Sequence, residues 1–414
     1  MQGNERNYNC KKQERKVSQT QENEKTRKSG RDAGKDFTRN EERLKRFVAE
    51  IGAPDSEAKE RAKERQDSLA KVPGSLGELE KISVKMAGIT GNVTGNSLKK
   101  QCVALFCADN GVISEGVASA PRSVTLSQTV NFTRRITGVS SQARYFGIDI
   151  LDIDMGVADD IPKELCTDKM TDEHGGIPFK IVNRKIAAGT RNLAVESAMT
   201  REQAIRGILT GFEAADAMKD AGIELCGIGE MGIGNTTTSS CLLRAVTGVP
   251  AEKLVGRGGG LNNDGLAKKL EIVRDCGSRA KNEDPIGKLM SVGGFDICGM
   301  VGCFLGAARN RMPVVIDGFI SIVAAVMAKE FNPLVTEYMF ASHKSKEIGY
   351  MTAMEYLGLS PMFDLGMRLG EGSGCPIAFK VIEAACASMD FMKTLAEGSI
   401  DDEYLDEIRK GNFF

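Results

Sequence analysis

The chain reads as an α/β protein: a parallel sheet with helices on both faces, Rossmann-like, plus a small helical domain built from the N- and C-terminal segments. Three observations predict this. After Leu98, short apolar runs alternate with Gly- or Asp-bearing loops and then amphipathic stretches, the pattern of strand, loop and helix in a parallel sheet. The chemically distinctive residues fall just after the runs, where such sheets bind ligands. Before Leu98 and after Asp364 the pattern is helical.

Residues 1–35 are polar, charged and without apolar periodicity, so they are expected to be a disordered tail. Residues 36–98 and 365–414 are assigned to the small domain, and 99–364 to the large α/β domain that carries the site. From Asp36, the spacing of Leu44, Phe47, Val48 and Ile51 predicts a helix. A second helical stretch runs from Ser56 to Ala70. Pro73-Gly74-Ser75 reads as a turn, with Ser75 a candidate cap for the next helix. The predicted strands are Val103–Ala108, Ile148–Ile153, Ile223–Ile228, Met290–Val292 and Pro313–Ile316. The predicted helices are Thr125–Tyr145, Thr200–Ala221, Thr236–Val246, Asp264–Cys276, Ile297–Asn310 and Phe319–Lys329. The residues that follow the strands are Asp109-Asn110-Gly111, Asp154, Gly229-Glu230, Gly293-Gly294-Phe295-Asp296 and Asp317-Gly318.

Composition narrows the function. Lys+Arg is 55 and Asp+Glu 56, a formal net charge of −1 in 414 residues. That balance argues against a nucleic-acid partner, which calls for a basic excess. There is no run of about 20 apolar residues, and no signal-peptide pattern opens the chain. A soluble, cytoplasmic protein without a membrane partner is expected. Of the 11 cysteines, Cys102, Cys107, Cys226, Cys241, Cys298, Cys303 and Cys386 lie in apolar stretches and read as reduced core residues. With only two histidines, His174 and His343, a His-rich metal site is excluded. Catalysis must rest on carboxylates, lysines, hydroxyls and backbone.

Three glycine loops carry the chemistry. Gly227-Ile228-Gly229-Glu230-Met231-Gly232 fits G-x-G-x-x-G, and Gly234-Asn235 opens a helix beginning with three threonines. A helix N-terminus with bare amides suits an anion. Glu230, however, would repel a diphosphate at short range, so it is better read as facing a neutral or cationic part of a ligand. The second loop, GRGGGLNNDGLAKK from Gly256, exposes amides at Gly258 and Gly259 and presents Lys268 and Lys269 on the following helix. One phosphate held by amides and a lysine fits it; two solvated lysines beside a tight turn remain the plain alternative. The third, Leu369-Gly370-Glu371-Gly372-Ser373-Gly374, leaves a carboxylate between bare glycines. Poor solvation there would raise the pKa of Glu371 and suit it to acid–base work; a helix-capping glutamate is the alternative.

Taken in order, VPGSLGELE (72–80), ADNGVISEGVASAPRSVT (108–125), KIAAGTRNLAVESAMT (185–200), GIGEMGIGNTTTSS (227–240), GRGGGLNNDGLAKK (256–269), VGGFDICGMVG (292–302), VVIDGFIS (314–321), ASHKSKEIG (341–349) and LGEGSG (369–374) resemble one family. It is the nicotinate-nucleotide–dimethylbenzimidazole phosphoribosyltransferases. The likeness covers roughly Leu69 to Ala385. It implies transfer of phosphoribose from nicotinate mononucleotide to a benzimidazole nitrogen with inversion from β to α, serving the cobalamin nucleotide loop. By the resemblance Glu371 is the general base and Glu230 the second active-site carboxylate. Gly232, Gly234, Asn235 and Lys269, with Gly258 and Gly259, would hold the phosphate. Gln128, Ser345, Leu369, Asp317, Phe319 and Met231 would line the base pocket. No metal and no cofactor are implied, and a homodimer is.

The chain departs from the family in places. Asn110 stands where a histidine is frequent, as does Tyr350; Cys375-Pro376 follows the third glycine loop; the polar N-terminal extension has no counterpart. Base preference stays open among another benzimidazole, a purine or a phenol. Two other functions compete with this one. A non-catalytic nucleotide-binding subunit of a two-protein complex is disfavoured by retention of both glutamates. An NAD-dependent oxidoreductase is disfavoured by the absence of a hydride-relay His–Asp pair.

Overall fold

The computed structural model describes residues 38–401, 403 and 405. The expected disordered tail therefore lies outside the described residues. The chain divides into two compact units, 1–46 and 47–414. Of the first, residues 38–46 are helical; the second holds every described strand.

Its centre is an eight-stranded sheet in the order β3-β4-β2-β1-β5-β6-β7-β8, parallel throughout. The strands are β1 (Gln101–Ala108), β2 (Asp149–Gly156), β3 (Cys166–Thr167), β4 (Ile181–Asn183), β5 (Leu225–Met231), β6 (Val314–Ile316), β7 (Met339–His343) and β8 (Pro361–Phe363). Every residue of β1 and β5 is buried, as expected of strands covered on both faces.

Side-chain alternation shows which helix covers which face. A Cβ on Gly372, at the approach to helix Cys375–Phe391, would lie 2.9 Å from Val103 Cγ1 and 3.4 Å from Leu105 Cδ2. A Cβ on Gly299, in helix Phe295–Arg309, would press on the ring of Phe106 instead. Odd and even positions of β1 point to opposite faces, so these two helices flank the sheet. Helix Phe295–Arg309 also packs tightly on Arg201–Asp220, where Gly211 and Gly302 bring the two backbones together without intervening side chains. The helices Ser56–Ser68 and Glu78–Thr90 pack on each other, and the latter on Cys375–Phe391; an isolated bridge joins Leu69 to Thr394. The ends of the unit thus meet.

Four local expectations need correcting. Met290–Val292 is no strand. It ends a helix, Pro285–Val292, whose N-terminus has Pro285 at its first position and an Asp284 carboxylate accepting from Gly287 N. The apolar residues Ile286, Leu289 and Val292 recur every third residue, and all are buried. The predicted helix Thr125–Tyr145 is two, Ser123–Thr133 and Gly138–Phe146. Arg135 turns into the left-handed region at φ 57°, and Thr137 forms a capping box with Ser140 that starts the second helix. Ser75 caps nothing: Gly77 holds the N-cap position, and the Glu80 carboxylate takes the amides of Gly74 and Leu76. Strands β3, β4, β7 and β8 were not predicted. β3 and β8 are edge strands of two and three residues, and β8 opens with a proline, which the first position of an edge strand tolerates.

Of the 11 cysteines, all seven singled out are free and buried. No described helix is long and apolar enough to cross a membrane.

Candidate functional site

From β1 the chain first builds β2, β3 and β4 on one side of the sheet, then returns to build β5 to β8 on the other. The loops leaving the carboxyl ends of β1 and β5 therefore diverge, and a crevice opens between them. A cavity of about 300 Å³ lies at this edge, with Glu230, Gly234, Thr236, Gly258, Phe319 and Glu371 among its walls. Gln128, Met231, Gly232, Asn235, Gly259, Ser345 and Leu369 line it too. Of the residues assigned to the site from the sequence, Lys269 and Asp317 stand off the wall, as do the strand-end residues Asp109, Asp154 and Asp296.

The third glycine loop brings Glu371 to the cavity. Gly370, Glu371 and Gly372 all adopt positive φ, at 84°, 62° and 81°. For the non-glycine Glu371 this costs about 1–2 kcal/mol, and the surroundings hold it. Asp317, at the end of β6, accepts from Gly372 N at 3.0 Å and Gly374 N at 2.6 Å. The loop backbone lies directly on Gly229 of β5, where a Cβ would come within 2.5 Å of Gly372 N. Asp317 thus anchors the loop from beneath. Burial pushes the Asp317 carboxyl up to about 7, against the pull of the amides of Gly374, Gly372 and Gly318.

Both oxygens of Glu371 are engaged. Gln128 Nε2 donates to Oε1 at 2.9 Å, and Gly138 N to Oε2 at 3.1 Å. The capping box at Thr137 is what points that amide. Burial raises the Glu371 pKa, opposed by the Gln128 and Gly138 hydrogen bonds. The sequence did not reveal Gly138; its signal was the Thr137…Ser140 capping pattern within what read as one helix.

Glu230 sits at the carboxyl end of β5 and is 8 % exposed. Burial first, then the charges of Asp296 and Asp317, push it up to about 8, while Asn235 counteracts. The Asn235 amide donates to Glu230 Oε2. Glu371 adds a smaller repulsion, and a Cβ on Gly370 would lie 2.9 Å from Glu230 Oε1. The two glutamates therefore face one small volume from adjacent loops.

Beside Glu230, helix Asn235–Thr247 begins at Gly234, φ 96°, with no side chain capping it. Ile233 N is taken by Thr125 Oγ1 at 3.1 Å. Lys269 is 1 % exposed, and its Nζ donates to Thr236 Oγ1 at 2.9 Å and Gly256 O at 3.2 Å. Burial lowers it to about 8. It binds the second glycine loop to the helix N-terminus, with a Cβ on Gly258 only 3.9 Å away. Lys268 instead pairs with Glu115 at 2.8 Å. An uncapped helix start, glycine residues and a buried lysine one layer back meet at this corner, an arrangement whose chemistry suits an anion. Arg257, within the second glycine loop, and Arg368, just before the third, also line the cavity, though neither was singled out from the sequence.

His343 does not enter the cavity. It is buried under the Gly374 turn, beside Ser342 Oγ at 3.1 Å, and burial lowers its pKa to about 4. Among the described residues no cluster of three or more His, Cys, Asp or Glu side chains is arranged to hold a metal ion.

A strained carboxylate thus stands at a topological switch point, on one cavity with a helix start and a glycine loop, and comparison with known proteins gives the class. A family model described as Phosphoribosyltransferase matches residues 51–400. A protein of Clostridium perfringens (strain ATCC 13124) is 49 % identical over 351 residues, 84 % of this chain and 93 % of its own length. One of Clostridium acetobutylicum is 43 % identical over 360 residues, covering 86 % and 98 %. Both bear the name nicotinate-nucleotide–dimethylbenzimidazole phosphoribosyltransferase. The crystal structure of CobT from Thermus thermophilus superposes with a TM-score of 0.77 at 34 % identity, over 83 % of this chain and 99 % of that one. The chain belongs to the nicotinate-nucleotide–dimethylbenzimidazole phosphoribosyltransferase family.

Proposed function

We propose that this chain transfers phosphoribose from nicotinate mononucleotide to 5,6-dimethylbenzimidazole or a related base, giving α-ribazole 5′-phosphate and nicotinate for the cobalamin nucleotide loop. The observation that carries the reading is the pairing of Glu371 and Glu230 on one cavity facing the Gly234–Lys269 corner. The phosphate of the donor fits the amides at the start of helix Asn235–Thr247 and the loop through Gly258 and Gly259. Glu230, ionised, faces the cationic pyridinium and the oxocarbenium-like sugar. An unprotonated ring nitrogen of the base attacks C1′ from the face opposite nicotinate. The C1′–N bond breaks, its electron pair leaves with nicotinate, and the anomeric centre inverts. The base's other ring N–H passes its proton to Glu371, which releases it to water. Gln128, Ser345, Leu369, Phe319 and Met231 surround the base, and Asp317 acts by holding the loop.

The reading includes a cytoplasmic homodimer. Ile348, Met351, Leu365 and Leu369 are 40–61 % exposed on segments joined by the Lys344 N–Phe363 O and Lys346 N–Met367 O hydrogen bonds. An apolar surface of this kind suits a second copy.

Purified protein given nicotinate mononucleotide and dimethylbenzimidazole is expected to release nicotinate, followed by chromatography. Glu371→Gln keeps the hydrogen-bond geometry but cannot take the proton, and should lose about 10²–10⁴ in kcat. Absence of nicotinate release with azoles, purines and phenols alike defeats the reading; a Glu371→Gln rate equal to wild type removes Glu371 as base.

A further inference from the structure

The motif VGGFDICGMVG places Asp296 at the start of helix Phe295–Arg309, 0 % exposed and outside the cavity wall. Its contacts give it a role. The Asn235 amide has two N–H donors. It gives one to Glu230 Oε2 and reaches Asp296 Oδ2 at 3.4 Å with the other. Asp296 Oδ1 is held by Ile297 N at 2.9 Å. Behind it, Thr238 Oγ1 donates to Asn110 Oδ1 at 3.1 Å, which turns the Asn110 amide nitrogen toward Asp296. Two glycines leave room for the group. A Cβ on Gly232 would lie 2.9 Å from Asp296 Oδ2 and 3.0 Å from Asn110 Nδ2, and a Cβ on Gly294 would collide with Asp296 Oδ1.

We propose that Asp296 is a positioning residue for Glu230: once ionised, its carboxylate can only accept, so it fixes the Asn235 amide with its NH₂ toward Glu230. The inference rests on the phosphoribosyl-transfer reading for its kinetic consequence, and on geometry alone for the orientation. Were the amide reversed, its carbonyl oxygen would face two carboxyl groups. Held as it is, Glu230 has one oxygen fixed as an acceptor. A neutral amide at 296 can accept or donate, so it no longer dictates which end of Asn235 meets Glu230.

Asp296 also sets the charge around Glu230. The groups facing Glu230 are Asp296 from the helix start, Asp317 from the end of β6, Glu371 from the glycine loop and the Asn235 amide. Three of the four are carboxyls, so removing one negative neighbour lowers the pH at which Glu230 ionises.

The test is a double-mutant cycle on nicotinate release. Asp296→Asn should lower kcat about tenfold in the wild-type background and less than twofold in Glu230→Gln, because a residue acting through Glu230 has nothing left to act on. Asn235→Ala, which removes the bridge and keeps both carboxylates, should show the same dependence and serves if Asp296→Asn fails to fold. Equal losses in both backgrounds, or no loss in either, overturn the proposal. A second readout needs no turnover: the ¹³Cδ resonance of Glu230, followed against pH, should titrate lower in Asp296→Asn. An unchanged midpoint overturns the proposal even if the wild type releases no nicotinate, whereas a shifted midpoint in an inactive protein supports it and defeats only the transfer reading.

Discussion

At the scale of single residues, the site is a set of carboxyl groups kept from water. Glu230 titrates near 8 against 4.5 for the free side chain. Between those values the folded protein keeps a proton that the unfolded chain has lost, so stability falls as pH rises, by about 1.4 kcal/mol per unit where the difference is a whole proton. Asp296 and Asp317, each raised to about 7, add to the same slope. The melting temperature of the unliganded protein is therefore expected to drop from about pH 5 to about pH 8, and Glu230→Gln to flatten that drop. Calorimetry across this range decides it; an identical slope in the variant would assign the proton to another group. A cationic substrate part beside Glu230 reverses the cost, which is a physical reason for leaving a carboxylate in so dry a place.

At the scale of elements, two local devices aim Glu371. One is the close packing of the Gly370–Gly374 loop on β5. Gly229→Ala would set a methyl 2.5 Å from Gly372 N and 2.8 Å from Glu371 C. Both are backbone atoms, so the loop must lift, at about 1–3 kcal/mol. Nicotinate release should fall more steeply than the melting temperature, a split that separates loop displacement from general unfolding. The other is the capping box. Thr137→Ala removes an N-cap worth about 1 kcal/mol and loosens the Gly138 amide that donates to Glu371 Oε2. A melting point a few degrees lower with reduced kcat is expected; unchanged kcat would mean that Gln128 alone holds the carboxylate. Much at this scale was legible. Most long helices, the split Thr125–Tyr145 excepted, appeared within a few residues of their predicted limits, because apolar period and caps such as Thr200 with Gln203 are local signals. The edge strands β3 and β8 were not legible, since two or three residues carry no period and pair only because a neighbour is already in place.

At the scale of the molecule, the crevice between β1 and β5 gathers groups from every part of the large unit. Gln128 precedes β2, Glu230 ends β5, Lys269 lies between β5 and β6, and Glu371 follows β8. A ligand that touches them all should tie these segments together. Nicotinate mononucleotide at about a hundred times its dissociation constant should add about 2.7 kcal/mol of stability, read as a rise in melting temperature that Lys269→Ala diminishes. If the rise is the same in Lys269→Ala, the anion corner owes nothing to that lysine.

The sequence by itself determined the alternation of strand and helix and the three glycine loops, with Glu230 and Glu371 standing in two of them, because periodicity and bare backbone are written in neighbouring residues. Only the tertiary structure decided that Asp317 supports the loop from beneath, that Gly138 donates to Glu371, and that Asp296 reaches Glu230 through Asn235. Those relations join residues 55, 233 and 61 positions apart. No local pattern encodes such contacts; they arise when β1, β5 and β6 align and their carboxyl ends arrive at one edge of the sheet.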